Sequence, residues 1–220
     1  MPPNVTVLIP AYNEEATIGD VITDARDSGV DCHILVGDNN STDSTWQKCV
    51  EKGVFPVMVS RKGKGNVIQA LIKKVQTPYV IMVDADRTYP LQAAMRPIVN
   101  YLVDDYDVVT CPRIHKIDGA MSMSHKLGNL VLSRLASFIY RYPVTDLCTG
   151  LWGFRTPVLK GFGIKSKGFT LETEIFTKAI SGMWSIKSCP ITYHPRPIKS
   201  KSKLEVMDAI RIILYLWRNR

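Results

Sequence analysis

The chain has no Cys-x-x-Cys pair, no internal repeat, no low-complexity tract and no Walker-type glycine spacing. No window reaches the ~18 apolar residues that a membrane-spanning helix needs. The five cysteines, Cys32, Cys49, Cys111, Cys148 and Cys189, are odd in number and well separated. That argues against a disulfide framework or a cysteine metal centre, and for free thiols in a reducing compartment. The first residues run into an apolar strand pattern with no leader. The expected location is therefore the cytoplasm, with at most peripheral attachment to the cytoplasmic face of a membrane.

Acid is scarce in one place. Between Glu174 and Glu205 there is none, while Lys178, Lys187, Arg196, Lys199, Lys201 and Lys203 fall in that interval. The formal charge is +8. Such an excess suits phosphate-bearing ligands, an anionic lipid surface or nucleic acid. Nucleic-acid binders interleave aromatics with a basic stripe. Phe176, Trp184 and Tyr193 supply few, so no nucleic-acid partner is expected.

What is present is the alternation of an α/β protein. At 220 residues, 45% of them hydrophobic, the chain can bury one substantial core. Strand patterns at 4–10, 33–37, 54–60, 79–83 and 107–111 alternate with helical ones at 14–28, from about 43 to 52, from 66 to about 75, and at 91–103. Asn13 is a plausible N-cap for the first helix. This pattern specifies βαβ units and a mostly parallel, Rossmann-like sheet flanked by helices. Beyond residue 112 the reading changes to a long helix at 123–142, a loop and short strand at 146–155, a helix at 171–180, a strand at 184–193 and a last helix at 203–218. That last helix carries Met207, Ile210, Leu214 and Trp217 on one stripe, with a basic polar face. Packing of that stripe on the sheet is the expectation, and a membrane interface is the alternative. The division is a nucleotide-binding-type layer, 1–112, and a differently patterned half, 113–220, of a single domain.

The chain is organised around Tyr79-Val80-Ile81-Met82-Val83-Asp84-Ala85-Asp86. Its apolar run reads as a strand buried on both faces. Residues i and i+2 of a strand share a face, so Asp84 and Asp86 can point together beyond the strand end, where open α/β sheets bind ligands. Two carboxylates there suit Mg²⁺ or Mn²⁺, which completes its shell with phosphate and water. An ordinary strand-to-helix turn with one capping Asp is the plainer alternative.

Pro10-Ala11-Tyr12-Asn13-Glu14-Glu15, Asp38-Asn39-Asn40-Ser41, the Gly63-Lys64-Gly65 turn, Asp84-Ala85-Asp86 and Asp146-x-x-Thr149-Gly150 occur in this order. Together they resemble the family-two glycosyltransferases of the A-type fold, in particular the archaeal dolichyl-phosphate mannose and glucose synthases. The resemblance implies that Pro10, Tyr12, Glu14, Asp38, Asn39, Lys64, Asp84 and Ala85 serve the nucleotide-sugar donor. Asp84 and Asp86 would hold the metal, with Asp86 the surer ligand. Arg113, His125, Lys126, Arg196 and Lys203 would hold an acceptor phosphate, and Glu174 matches a further acidic residue. Asp86, Arg113 and Asp146 are the implied catalytic set. Three positions depart from the pattern: Asn39 replaces a second aspartate, Arg87-Thr88 replaces Leu-Gln, and His125 stands where an arginine is usual.

Sugar transfer from a nucleoside diphosphate passes through an oxocarbenium-like state while the leaving diphosphate gains charge. A divalent cation on Asp84 and Asp86 stabilises that charge. A lipid monophosphate, with a second pKa near ~6, is already an anionic nucleophile at pH 7, so it needs cations and no base. Inverting transfer of a hexose to dolichyl or polyprenyl phosphate at a membrane surface is therefore the expected function. With a hydroxyl acceptor on a soluble glycan or protein, a base would be needed, Asp146 first and then Glu174. A non-catalytic basic surface binder is the reading from another class.

Overall fold

A computed structural model describes residues 4–197 and 206–220. Among these the chain forms β1 (Val5–Ala11), α1 (Ile18–Arg26), β2 (Cys32–Asp38), α2 (Thr45–Glu51), β3 (Val57–Met58), α3 (Lys64–Ile72), β4 (Tyr79–Met82) and α4 (Leu91–Val103). There follow β5 (Val108–Thr110), β6 (Arg113–Lys116), α5 (Met123–Tyr140), β7 (Trp152–Arg155), α6 (Thr156–Gly161), α7 (Leu171–Ser181), β8 (Ile186–Ser188), β9 (Ile191–Tyr193) and α8 (Val206–Arg218). Seven strands make one sheet in the order β3-β2-β1-β4-β7-β5-β8, and β6 pairs with β9 in a small second sheet. β7 runs antiparallel to both its neighbours; the other pairings are parallel. The large sheet thus draws strands from both sides of residue 112.

The strands are read correctly by a side-chain period of two. In β1, Val5, Val7 and Ile9 join a core with α1 and α4 on one face, while Leu8 joins the core on the other face. In β4, Ile81 belongs to the first core, and Val80 and Met82 belong to the second, where α3 and α7 pack. All three are 1% exposed or less. Burying such a side chain is worth ~1.5–3 kcal/mol, which ties β4 to its register. β2 and β4 flank β1 on opposite sides, so the order of connection reverses at β1 and β4. The crevice beyond their carboxyl ends is where open sheets place ligands. Asp84 follows β4 there.

Several boundaries differ from expectation for identifiable reasons. The first helix begins at Ile18, and its N-cap is Thr17. Asn13 has a left-handed φ of 52°; its side chain accepts from the Thr42 N–H at 2.8 Å and its own N–H donates to Ser41 Oγ at 3.0 Å. Residues 13–15 are clamped to the 41–45 turn, with Glu15 accepting from the Ser44 N–H at 2.9 Å. β3 keeps only two ladder residues. The 184–193 pattern splits into β8 and β9, which belong to different sheets. On α8, Ile212 and Leu216 face the core while Met207, Ile210, Leu214 and Trp217 are exposed, contrary to the expected packing of that stripe on the sheet.

Gly63 and Gly65 serve a close approach between backbones. A Cβ on Gly65 would stand 2.0 Å from the Ser166 carbonyl oxygen, and one on Gly63 would stand 2.1 Å from that of Lys167. Gly65→Ala is expected to destabilise the protein by at least ~2 kcal/mol, because backbone cannot yield as a side-chain tip does. Thermal unfolding of the variant checks this.

Candidate active site

A cavity of about 1220 Å³ opens at the sheet crevice, with Asp84, Ala85 and Asp86 on its wall. Asp84 is held by a buried cation. Lys64, the first residue of α3, places Nζ 2.5 Å from Asp84 Oδ1 and 2.5 Å from Glu172 Oε1. Burial acts against the charge of Lys64, but the two carboxylates outweigh it and raise its pKa above the ordinary lysine value. Burial pushes the Glu172 carboxyl upward, with Lys64 opposing. Gly150 gives Asp84 its room: a Cβ there would stand 2.0 Å from Asp84 Oδ2. The Gly150 N–H donates to Tyr89 Oη at 2.5 Å, which fixes the turn.

Asp86 is 5% exposed and held from two sides. Its Oδ1 accepts from Thr88 Oγ1 at 2.6 Å and from the Thr88 N–H at 3.2 Å. Its Oδ2 lies 2.7 Å from the Arg196 guanidinium. Thr88 is fully buried, so its hydroxyl orients Asp86 from behind. Arg87 turns away to Asp20 and Asp24 of α1.

Arg113 reaches the cavity from β6. Its Nε lies 2.7 Å from Asp146 Oδ2 and its Nη2 2.8 Å from Asp146 Oδ1, and its main-chain N–H donates to Oδ2 at 2.9 Å. Asn129 of α5 gives Asp146 a fourth donor at 2.8 Å. Burial opposes ionisation of Asp146, yet these donors hold its carboxyl below the usual range. Asp146 is thus the buried counter-ion of Arg113, off the cavity wall, and this geometry does not provide the base role assigned to it from sequence. Tyr193 of β9 lies 5.1 Å below the Arg113 guanidinium, ring to cation, and packs edge-on against Tyr89.

The other residues separate into wall and support. Pro10, Tyr12, Glu14 and Asn39 line the cavity, with Lys62 over the Tyr12 ring at 5.4 Å. Asn39 also accepts from the Gly63 N–H at 2.7 Å and donates to the carbonyls of Val59 and Arg61, so it ties the Lys64 turn to β2. Asp38 is buried off the wall and accepts from Ser41 Oγ. His125 is on the wall in the first turn of α5, next to the N-cap Ser122. Lys126 is half-buried and off the wall. Lys203 lies outside the described residues. Glu174 is off the wall too: its carboxylate accepts from the N–H groups of Lys165 and Ser166 and pairs with Lys178, a structural use. The acid that faces the cavity is Glu172, which the sequence reading missed. Two residues apart on one helix are ~200° apart around its axis, so α7 cannot present both to one site.

Two carboxylates that line one cavity and leave the remaining positions to phosphate and water fit Mg²⁺ or Mn²⁺. Asp84 and Asp86 would hold the ion, exchanging a share of their pairing with Lys64 and Arg196. Among the described residues no third acidic, histidine or cysteine ligand joins them.

The sequence matches the family model described as glycosyl transferase family 2 over residues 6–163. The chain belongs to that family. Haloferax volcanii glycosyltransferase AglJ is 34% identical over 220 residues, covering 99% of this chain and 72% of the relative. A Haloferax volcanii protein named dolichyl-phosphate hexose transferase is 27% identical, covering 90% of this chain and 86% of the relative. Mycobacterium tuberculosis glucosyl-3-phosphoglycerate synthase, solved with Mn²⁺, UDP-glucose and phosphoglyceric acid, superposes with a TM-score of 0.73 at 20% identity, covering 98% of this chain and 78% of that one. The fold is the A-type glycosyltransferase fold.

Proposed function

We propose that this protein transfers a hexose from a nucleotide sugar, one of GDP-mannose, UDP-glucose or UDP-N-acetylglucosamine, to dolichyl or polyprenyl phosphate with inversion, aided by Mg²⁺ or Mn²⁺. The observation that carries the reading is the mixed lining of the cavity. Its wall carries Asp84 and Asp86 together with Arg113 and the N-terminal turn of α5, and the α5 wall brings no carboxylate among the described residues. A helix N-terminus and a buried guanidinium favour an anion. A phosphate nucleophile needs no base, and the α5 wall offers no carboxylate to serve as one. When bound, the metal supplies charge stabilisation to the departing diphosphate. The chain's own residues position the two phosphates: Arg113 and the α5 turn the acceptor, and Lys64 and Arg196 the acidic pair. The named activity of the Haloferax dolichyl-phosphate hexose transferase supports the same acceptor.

The acceptor's lipid nature is supported by surface. Leu127, Val131 and Phe138 on α5 are 60%, 54% and 81% exposed, and Ile210, Leu214 and Trp217 on α8 are 45%, 46% and 55% exposed. The two helices pack on each other, with Tyr140 Oη donating to the Leu216 carbonyl at 3.3 Å. Exposed Arg134, Arg211 and Arg218 lie on the same helices, and basic residues add ~1 kcal/mol each near anionic lipid. No helix among the described residues is long and apolar enough to cross a membrane. The exposed apolar and basic residues of α5 and α8 support peripheral attachment to a membrane surface, at its cytoplasmic face in this reading.

Incubation with each radiolabelled nucleotide sugar, lipid phosphate and Mn²⁺ is expected to move label into organic extract. Chelation should stop this, and Asp86→Asn should reduce it by at least ~10²-fold. Label that stays in water at saturating lipid phosphate, while soluble hydroxyl acceptors become labelled, would overturn the proposal.

A further inference from the structure

β5 pairs with β8, and the first residue of β6 with that of β9, in one register that shifts by a residue only beyond Arg113. Val108↔Ile186, Thr110↔Ser188 and Arg113↔Ile191 share a single offset. Cys111 and Cys189 therefore stand opposite each other at the seam between the two sheets, followed by Pro112 opposite Pro190. The Cys189 N–H donates to the Thr110 carbonyl at 2.8 Å, and the Ile191 N–H to the Pro112 carbonyl at 3.0 Å. The bond that would complete the Cys111–Cys189 pair must come from the N–H of residue 112, and proline has none. The ladder is broken by chemistry, while the cysteines stay aligned.

Directly paired residues project to the same face of a ladder, so the shared offset sets the Cys111 and Cys189 thiols side by side. Neighbouring strands lie ~4.7–4.9 Å apart, inside the ~4.4–6.8 Å Cα separation that a disulfide spans. We propose that Cys111 and Cys189 are a site of reversible thiol–disulfide exchange whose oxidised form staples the seam between the two sheets. The inference is independent of which sugar or acceptor the enzyme uses.

Cys189 is the entry point. It is partly exposed, whereas Cys111 is fully buried. The neighbouring Cys111 thiol outweighs burial and lowers the Cys189 thiol to about 7. Burial pushes Cys49 and Cys148 up to about 12 and raises Cys32 as well. With a small disulfide such as glutathione disulfide as oxidant, the Cys189 thiolate attacks one sulfur and releases one glutathione thiolate. Cys111 then gives up its proton and attacks the Cys189 sulfur, releasing the second glutathione. Two protein thiols are oxidised and one small disulfide is reduced to two thiols. The linked strands lead directly to Arg113 on one side and to Tyr193 on the other.

The test treats the native protein with glutathione disulfide and maps the products by peptide mass spectrometry. The expected product is a Cys111–Cys189 bond with Cys32, Cys49 and Cys148 still reduced. The thermal midpoint should rise by at least about 5 °C, because the bond closes a long loop, and dithiothreitol should reverse the rise. Cys111→Ser should retain one glutathione on Cys189, and Cys189→Ser should stay unmodified. The site is refuted if the native chain stays fully reduced, ends as a stable glutathione adduct, or forms its bond between other cysteines. A mapped Cys111–Cys189 bond with an unchanged midpoint overturns the stapling. The mass map of the native chain stands even if a variant folds poorly.

Discussion

Alanine at position 150 lowers sugar transfer by at least ~10²-fold and costs far less in folding than in activity. The added methyl would meet Asp84 Oδ2 at 2.0 Å and its Cγ at 2.6 Å, so the carboxylate must rotate or move. Its partner Lys64 is already shared with Glu172 and cannot follow without leaving that acid buried and uncompensated. A displacement of about 1 Å at a reacting centre is enough for a ~10²-fold loss. The displaced group is partly exposed toward the cavity, so the fold has room to absorb the change. Two measurements separate this from general damage. The thermal midpoint of Gly150→Ala should stay within a few degrees of the native value, while Mn²⁺ affinity, read by electron paramagnetic resonance without substrate, should fall at least tenfold. Native Mn²⁺ affinity and turnover in the variant would remove Asp84 from the metal site and leave Gly150 a packing residue only.

That dependence also shows what could be read from sequence and what could not. The alternation of apolar strands and helices up to residue 112 gave the parallel pairing of β1 to β4, because a strand with a core on each side, such as β4, reads as a continuous apolar run. The Asp84–Asp86 pair was legible for the same reason: it follows a strand whose face is known. The antiparallel β7 was not. Trp152 to Arg155 looks like any short apolar strand, and nothing local says that it inserts between β4 and β5. The pairings of Lys64 with Glu172 and of Arg113 with Asp146 span long stretches of chain, and their geometry exists only after that insertion. Glu172 and Glu174 could not be told apart without the phase of α7. The exposed stripe of α8 shows the opposite limit: amphipathicity named two faces but not which one the core takes.

Asp146→Ala is the second large effect, and it falls on stability. Arg113 is 8% exposed and makes its side-chain bonds to Asp146, so the variant leaves a buried guanidinium without its counter-ion. Removing one partner of a buried pair costs ~3–5 kcal/mol, which for a chain of this size lowers the thermal midpoint by roughly 6–20 °C. Asp146→Asn keeps the shape and should cost less, because one amide oxygen can still accept. Acid distinguishes the native chain from both. The folded carboxyl ionises below its ordinary value of 3.8, so its contribution is complete above about pH 4 and is lost as pH falls through the folded value. Midpoints measured between pH 3 and pH 7 should therefore drop more steeply for the native chain than for Asp146→Asn. Kinetics give an independent check on the same residue. An anchor of Arg113 raises the KM for lipid phosphate when it is weakened, with the pH profile of turnover unchanged. A general base would instead show a native-like midpoint in Asp146→Asn, loss of kcat, and disappearance of the acidic limb from the rate profile; that combination would return Asp146 to the chemistry and favour a hydroxyl acceptor over a phosphate.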